Sequence, residues 1–210
     1  MRVCIVAEGC YPFVVGGVSS WIHSMIRLFP NTEFVILAIA ANRSLRGKYA
    51  YELPENVSEV YELYLQDVDW SKKHRRRQRL KKEQYRALRS LILDQDVQWN
   101  VLFDLFQKND VSLNDLLMGE DFLHAVTDCY NLKYSQLVFS DFLWTMRCIY
   151  LPLFITFQME LPKADLYHCV ATGYAGVLGS MAKHIYGSRL LVSEHGIYTR
   201  CLLYTSPSPR

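Results

Sequence analysis

The 210-residue chain has few of the local signatures that announce a function. Its six cysteines, at 4, 10, 129, 148, 169 and 201, form no C-x-x-C pair, and no Cys/His set has zinc-finger spacing. A zinc module and a dithiol redox centre are therefore not expected. Neither G-x-G-x-x-G nor G-x-x-x-x-G-K-[ST] occurs, and no acid ends the second apolar run, where "AIAANR" stands. Both absences argue against a nicotinamide dehydrogenase and a P-loop ATPase. The N-terminus has no basic region and no small-residue cleavage site. With scattered single thiols, that predicts a cytoplasmic protein. No run reaches the roughly 20 apolar residues that span a bilayer. The nearest, 141–160, carries Arg147 and Pro152. It predicts a buried helix broken near Pro152, with a membrane-facing segment as the alternative. Between 67 and 158 glycine is missing except for Gly119, and no internal period is visible.

What the chain does contain is strand and helix in alternation. Continuous apolar runs at Val3–Ala7 and 34–41 suit strands buried on both faces. "VSEVYEL" at 57–63 is a weaker strand; "DLYHCVA" at 165–171 and "RLLVSEHG" at 189–196 are two more. Val18, Trp21, Ile22, Met25, Ile26 and Phe29 form one apolar stripe of helical period. Ser19 or Ser20 can cap that helix and Pro30 can stop it. A further helix is predicted from Tyr174 to Tyr186, closed by Gly187. Strand–helix–strand at both ends predicts an α/β fold, a Rossmann-like doubly wound parallel sheet. It occupies residues 1–200, with a helical insertion at about 67–158.

Charge is unevenly spread. Residues 72–89, "KKHRRRQRLKKEQYRALR", carry +9 against −7 for the remainder. A solvated helix face is one reading of this run. Docking on anionic lipid is the other, at about 1 kcal/mol per Lys or Arg. No aromatic interleaving or reader motif points to nucleic acid.

Candidate site residues gather at the strand exits. Gly16-Gly17 precede the first helix, where N–H groups and the helix dipole attract anions and a missing Cβ admits close approach. A plain turn is the alternative. His168 and His195 each lie near the carboxyl end of a predicted strand, the end at which open α/β sheets bind ligands. Each could equally be structural. His168 and Cys169 would point to opposite faces, so they form no dyad. Tyr174 opens a helix on the same rim.

Four segments, "AEGCYPFVVGGVSSWIHSMI", "RGKYAYELPENV", "DLYHCVATGYAGVLGSMAK" and "SEHGIYTR", resemble the N-terminal domain of PelF-type glycosyltransferases. These belong to the retaining GT-B family 4, with glycogen synthases and bacterial mannosyltransferases. The resemblance spans residues 1–200 and is loose across 67–158. It implies a two-domain enzyme that transfers a sugar from a nucleotide-diphosphate donor, here a UDP-sugar, without a bound metal or other cofactor. The pathway it implies is exopolysaccharide (Pel-like) synthesis, with a saccharide acceptor and an inner-membrane complex as partners and a peripheral place at that membrane. By motif, Gly16, Gly17 and Val18 match the glycine loop near donor and acceptor, and His195 matches the histidine beside the reacting sugar. His168, Tyr174, Tyr198 and Arg200 fall in segments that face the cleft. The family's donor-binding domain, with its E-x7-E segment, has no counterpart here.

Residues 201–210, "CLLYTSPSPR", follow without helix or strand logic. Reverse-translated, they resemble a transposase adapter from sequencing libraries. They are expected to be a non-native tail, with the gene running on past Arg200. A natural Pro/Ser tail is the alternative. The 210-residue chain is accordingly expected to be inactive alone; the competing readings are a non-catalytic phosphate- or sugar-nucleotide-binding module and a basic scaffold domain that docks to a membrane complex.

Overall fold

A computed structural model describes residues 1–66, 79–108 and 111–195. The chain divides into two compact units, Met1–Tyr64 with Leu161–Arg210, and Leu65–Glu160.

The first unit is an α/β sheet domain. Its strands are β1 (Arg2–Glu8), β2 (Glu33–Ala40), β3 (Val57–Tyr64), β4 (Leu166–Cys169) and β5 (Arg189–Val192). All pair in parallel, in the order β3-β2-β1-β4-β5. Helix α1 (Gly17–Leu28) joins β1 to β2, and α7 (Tyr174–Tyr186) joins β4 to β5. Side-chain alternation sorts the two helices onto opposite faces. Val3, Ile5 and Ala7 meet Ile22 and Ile26 of α1 in one core. Cys169 faces α7, donating from its Sγ to the Ala175 carbonyl at 3.0 Å. The central strands β1 and β2 are almost wholly buried because both faces are covered. This is the Rossmann-like doubly wound arrangement.

Helix α7 has the predicted bounds because Gly187, at φ 69°, supplies the left-handed residue after its last turn. Helix α1 departs from expectation at its start and ends as expected just before Pro30. Its N-cap is Gly16, not a serine: Ser19 is buried inside the first turn, and the Ser20 hydroxyl lies 3.1 Å from that of Tyr51. The helix ends at Leu28, before Pro30, where the Asn56 amide donates to the carbonyls of Ile26 and Phe29 at 3.0 and 3.1 Å. Strand β5 stops at Val192, so His195 stands three residues beyond it.

The second unit holds α2 (Lys82–Leu93), α3 (Trp99–Lys108), α4 (Leu113–Leu117), α5 (Glu120–Cys129) and α6 (Phe139–Phe157). The predicted break at Pro152 does not occur: α6 runs through it. An interior proline costs about 3 kcal/mol. Just beyond it Phe154, Ile155 and Phe157 are buried, each worth about 1.5–3 kcal/mol, so packing outweighs the lost bond. Phe154 stacks on Phe106 at 5.0 Å, and Phe157 meets Phe103 edge-on at 5.6 Å. Arg147 is accommodated too: its Nε donates to the Leu117 carbonyl at 3.1 Å, and its guanidinium lies 5.1 Å from the Trp144 ring centre. Among the described residues no single helix is long and apolar enough to cross a membrane. Only Glu120–Tyr134 and Phe139–Phe157 together reach that length and apolarity, and they meet at 117°. Of the basic run, 72–78 lies outside the described residues; Arg79 pairs with Glu120 at 3.0 Å and Arg89 with Asp128 at 2.7 Å.

Candidate functional site

The sheet order places a switch point between β1 and β4, whose following helices leave toward opposite faces. In open α/β sheets ligands bind outside the carboxyl ends of the strands at such a point.

The loop from β1 to α1 is anchored at its start. Gly9, at φ 67°, donates its N–H to the Ile39 carbonyl at 2.9 Å. Tyr11 is fully buried, with its ring 5.2 Å from that of Tyr51 and its hydroxyl 3.4 Å from His23 Nδ1. Phe13 is buried as well, and the Ala50 N–H binds the Pro12 carbonyl at 2.8 Å. Beyond these anchors Val14, Val15, Gly16 and Gly17 are exposed. Gly16 is extended, at φ −177° and ψ 175°, a conformation open to any residue. A Cβ added at Gly16 or Gly17 would meet nothing within 4 Å. The plain-turn reading thus finds no steric or backbone need for glycine at either position. The α1 N-terminus carries no side-chain cap and no acid in its first turn. Its first N–H groups have no acceptor within the helix.

The α7 N-terminus is different. The Glu8 carboxylate, at the end of β1, accepts the Ala175 N–H at 3.1 Å. A Cβ at Gly173 would come within 2.8 Å of Glu8 Oε2, so the Glu8 carboxylate would have to shift. Burial, and then the charge of Glu8, raise the pKa of Tyr174. Among the described residues, the α7 start thus meets a carboxylate, while the α1 start has no side-chain cap and no acid in its first turn.

Two histidines approach the α1 side. His168, in β4, is 5% exposed, and its Nε2 lies 2.7 Å from the Ser193 hydroxyl. Ser193 extends the ladder past β5 by donating its N–H to the Cys169 carbonyl at 2.8 Å. Burial pushes the His168 pKa below 6.5, and the neighbouring His195 pushes it further down. His195 is exposed. Trp21, one turn into α1, meets both: its ring is 5.7 Å from His168 and 4.7 Å from His195, edge-on in each case.

The structure thus brings Gly16, Gly17, His168 and His195 to one rim through α1. Val18 departs from the grouping: its side chain packs on the core, so its backbone N–H is what it presents at the helix start. Tyr174 opens α7, beside Glu8. Tyr198 and Arg200 lie outside the described residues. Sequence reasoning missed Glu8, Ser193 and the ring contacts of Trp21. Glu8 carried a signal, an acid directly at the exit of a buried strand. Trp21 fell on the apolar stripe and read as core, but it is 39% exposed.

Among the described residues no group of three or more His, Cys, Asp or Glu is placed to hold a metal. The five described cysteines are free, and burial raises the pKa of Cys4, Cys10, Cys129 and Cys169. These four are poor nucleophiles. A groove of about 1070 Å³ lies at the opposite end of the sheet, lined by Arg2, Lys163, Asp165 and Arg189 among others. It opens at the amino ends of β1, β4 and β5, away from the switch point.

The sheet order and the loop rim define a Rossmann-like α/β domain with its candidate site at the switch point. The chain belongs to the family described as Domain of unknown function (DUF3492), whose model matches residues 1–203. No curated protein and no solved structure matches it.

Proposed function

We propose that this domain is the acceptor-side half of a retaining GT-B glycosyltransferase that uses a nucleotide-diphosphate sugar, a UDP-sugar, in Pel-like exopolysaccharide synthesis. The observation that carries the proposal is the pair Gly16-Gly17. The fold has no need of glycine at either position, yet both stand at an uncapped helix start on a rim with two histidines. Glycine serves passably as an N-cap at Gly16, and a bare backbone at both positions also allows close approach of a ligand. Support also comes from the four-motif resemblance.

In this reading the leaving nucleotide diphosphate gains negative charge as the sugar turns oxocarbenium-like. N–H groups of the first α1 turn, fixed before the reaction, stabilise that charge at little reorganisation cost. His195, exposed at the rim, donates hydrogen bonds at the reacting sugar, while His168 stays neutral beneath it. No metal takes part. The donor's other wall is a second domain, so the 210-residue chain alone transfers nothing. The domain works in the cytoplasm at a membrane-bound polysaccharide complex, where residues 72–89 contact anionic lipid.

Two measurements test this. Amide spectra of the chain titrated with UDP-sugar should shift at Gly16–Ser19; unmoved signals at millimolar ligand would sink the glycine-loop role. Radiolabelled UDP-sugar should be turned over when a donor-binding domain is supplied, and not by the chain alone. Robust transfer by the isolated chain refutes the half-site reading. Retention on the chain without transfer in any context favours a non-catalytic binding module. Flotation with anionic vesicles at low salt tests the lipid contact, and failure to float removes it.

A further inference from the structure

His195 stands three residues beyond β5, past the last sheet hydrogen bond, which Ser193 makes to Cys169. Its imidazole is exposed, so the sheet does not hold its ring in place. His168 is held twice, by burial in β4 and by the Ser193 hydroxyl at 2.7 Å. The two rings share one neighbour, the indole of Trp21, and it lies closer to His195, at 4.7 Å against 5.7 Å.

Trp21 itself is rooted. It is the fourth residue after Gly17, so it sits about 6 Å along α1 and slightly more than one turn from the helix start. Ile22, beside it, is fully buried and fixes the rotation of the helix. A rigid helix thus carries the glycine pair at one end and, one turn on, a flat ring against both histidines. A solvent-facing tryptophan is an uneconomical choice for core filling, because 39% of its surface stays in water.

We infer that Trp21 is a positioning residue: its indole sets the His195 ring relative to the α1 N-terminus, coupling the histidine to the glycine loop. The inference deepens the proposed glycosyl transfer and rests on it for its kinetic consequence, but not for its structural one. The two histidines respond unequally. Without the indole, His195 loses its ring contact, whereas His168 keeps Ser193.

The structural consequence is read by histidine ring NMR on the 210-residue chain. In Trp21→Leu the ring protons of His195 should move furthest, toward exposed-histidine positions, those of His168 less. Trp21→Phe should restore most of the difference, since a flat ring returns. Thermal midpoints of both variants should stay near wild type. If Trp21→Leu leaves the His195 signals in place, the inference is overturned. If Trp21→Leu does not fold, Trp21→Phe alone decides: His195 shifts matching those of a His195-exposed peptide would overturn it. The kinetic consequence is read in the two-domain enzyme. A ring misplaced by about 1 Å lowers kcat about 100-fold, with donor KM little changed and rescue by phenylalanine. Wild-type kcat in Trp21→Leu, where His195→Ala abolishes transfer, refutes the positioning role and leaves the proposed function standing. A wild-type enzyme that transfers no sugar refutes the proposed function, and the NMR result then judges the positioning alone.

Discussion

Replacing Gly16 by aspartate separates the needs of the fold from those of a ligand. Gly16 is the N-cap of α1, extended, and with room for a Cβ. Aspartate is among the best N-cap residues, and it exceeds glycine there by a few tenths of a kcal/mol. Its charge at the positive end of α1 adds about 0.3–1 kcal/mol at low ionic strength. Together these give roughly 0.5–1.3 kcal/mol of stabilisation. For a chain of this size each 1 kcal/mol is about 2–4 °C in Tm. Calorimetry or thermal CD at low salt should therefore show a rise of a few degrees, shrinking as salt is added. Ligand affinity should move the other way. A carboxylate about 4–6 Å from a diphosphate, at an effective dielectric near 20, repels each unit charge by about 3–4 kcal/mol, so affinity should fall at least 100-fold. Gly16→Ser is the uncharged control: it caps the helix but adds no charge, so it should stabilise slightly and weaken binding far less. A lower Tm in Gly16→Asp would show that the backbone does need glycine. Unchanged UDP-sugar affinity with a raised Tm would mean that no anion binds at α1.

Three other substitutions follow from the same unit. Glu8→Ala removes the carboxylate that accepts the Ala175 N–H and should cost about 1–2 kcal/mol in urea unfolding, lost from the α7 side; no change would mean that α7 does not rely on Glu8. Gly179→Ala places a Cβ within 2.6 Å of Leu190 Cδ1, where α7 lies close against β4 and β5, and should destabilise by about 1–3 kcal/mol; a wild-type Tm would contradict that close approach. His168 should titrate below 6.5 by NMR. The folded state then binds fewer protons than the unfolded chain as pH drops through 6.5 toward the depressed pKa. Stability is fully present above 6.5 and declines through that window, and His168→Gln should flatten the decline.

The sheet was legible because its central strands are continuous apolar runs, and only a strand covered on both faces tolerates such a run. "VCIVA" and "FVILAIA" therefore mark the middle of the sheet, and "VSEVYEL", interrupted by Glu59 and Glu62, its edge among the described strands. Helix α7 was legible to the residue because Gly187 is a local device. The misses share one cause, that tertiary packing outweighed a local rule. Pro152 should have ended a helix, but buried phenylalanines beyond it hold α6 together. Ser19 should have capped α1, but its position turns inward, and the chain places the cap three residues earlier, on Gly16.

The candidate site was less legible because its logic is relational. A sequence shows two helix starts on one rim, each with glycine and each a plausible anion seat. It does not show that Glu8 crosses from β1 to occupy one of them. With the Glu8 carboxylate accepting the Ala175 N–H, the α7 start has an acceptor, whereas the α1 start has no side-chain cap, and Trp21 of α1 meets the rings of His168 and His195. Trp21 was illegible for the same reason. On a helical stripe it is one apolar residue among six, and only the fold brings two histidines from separate strand exits against its exposed ring.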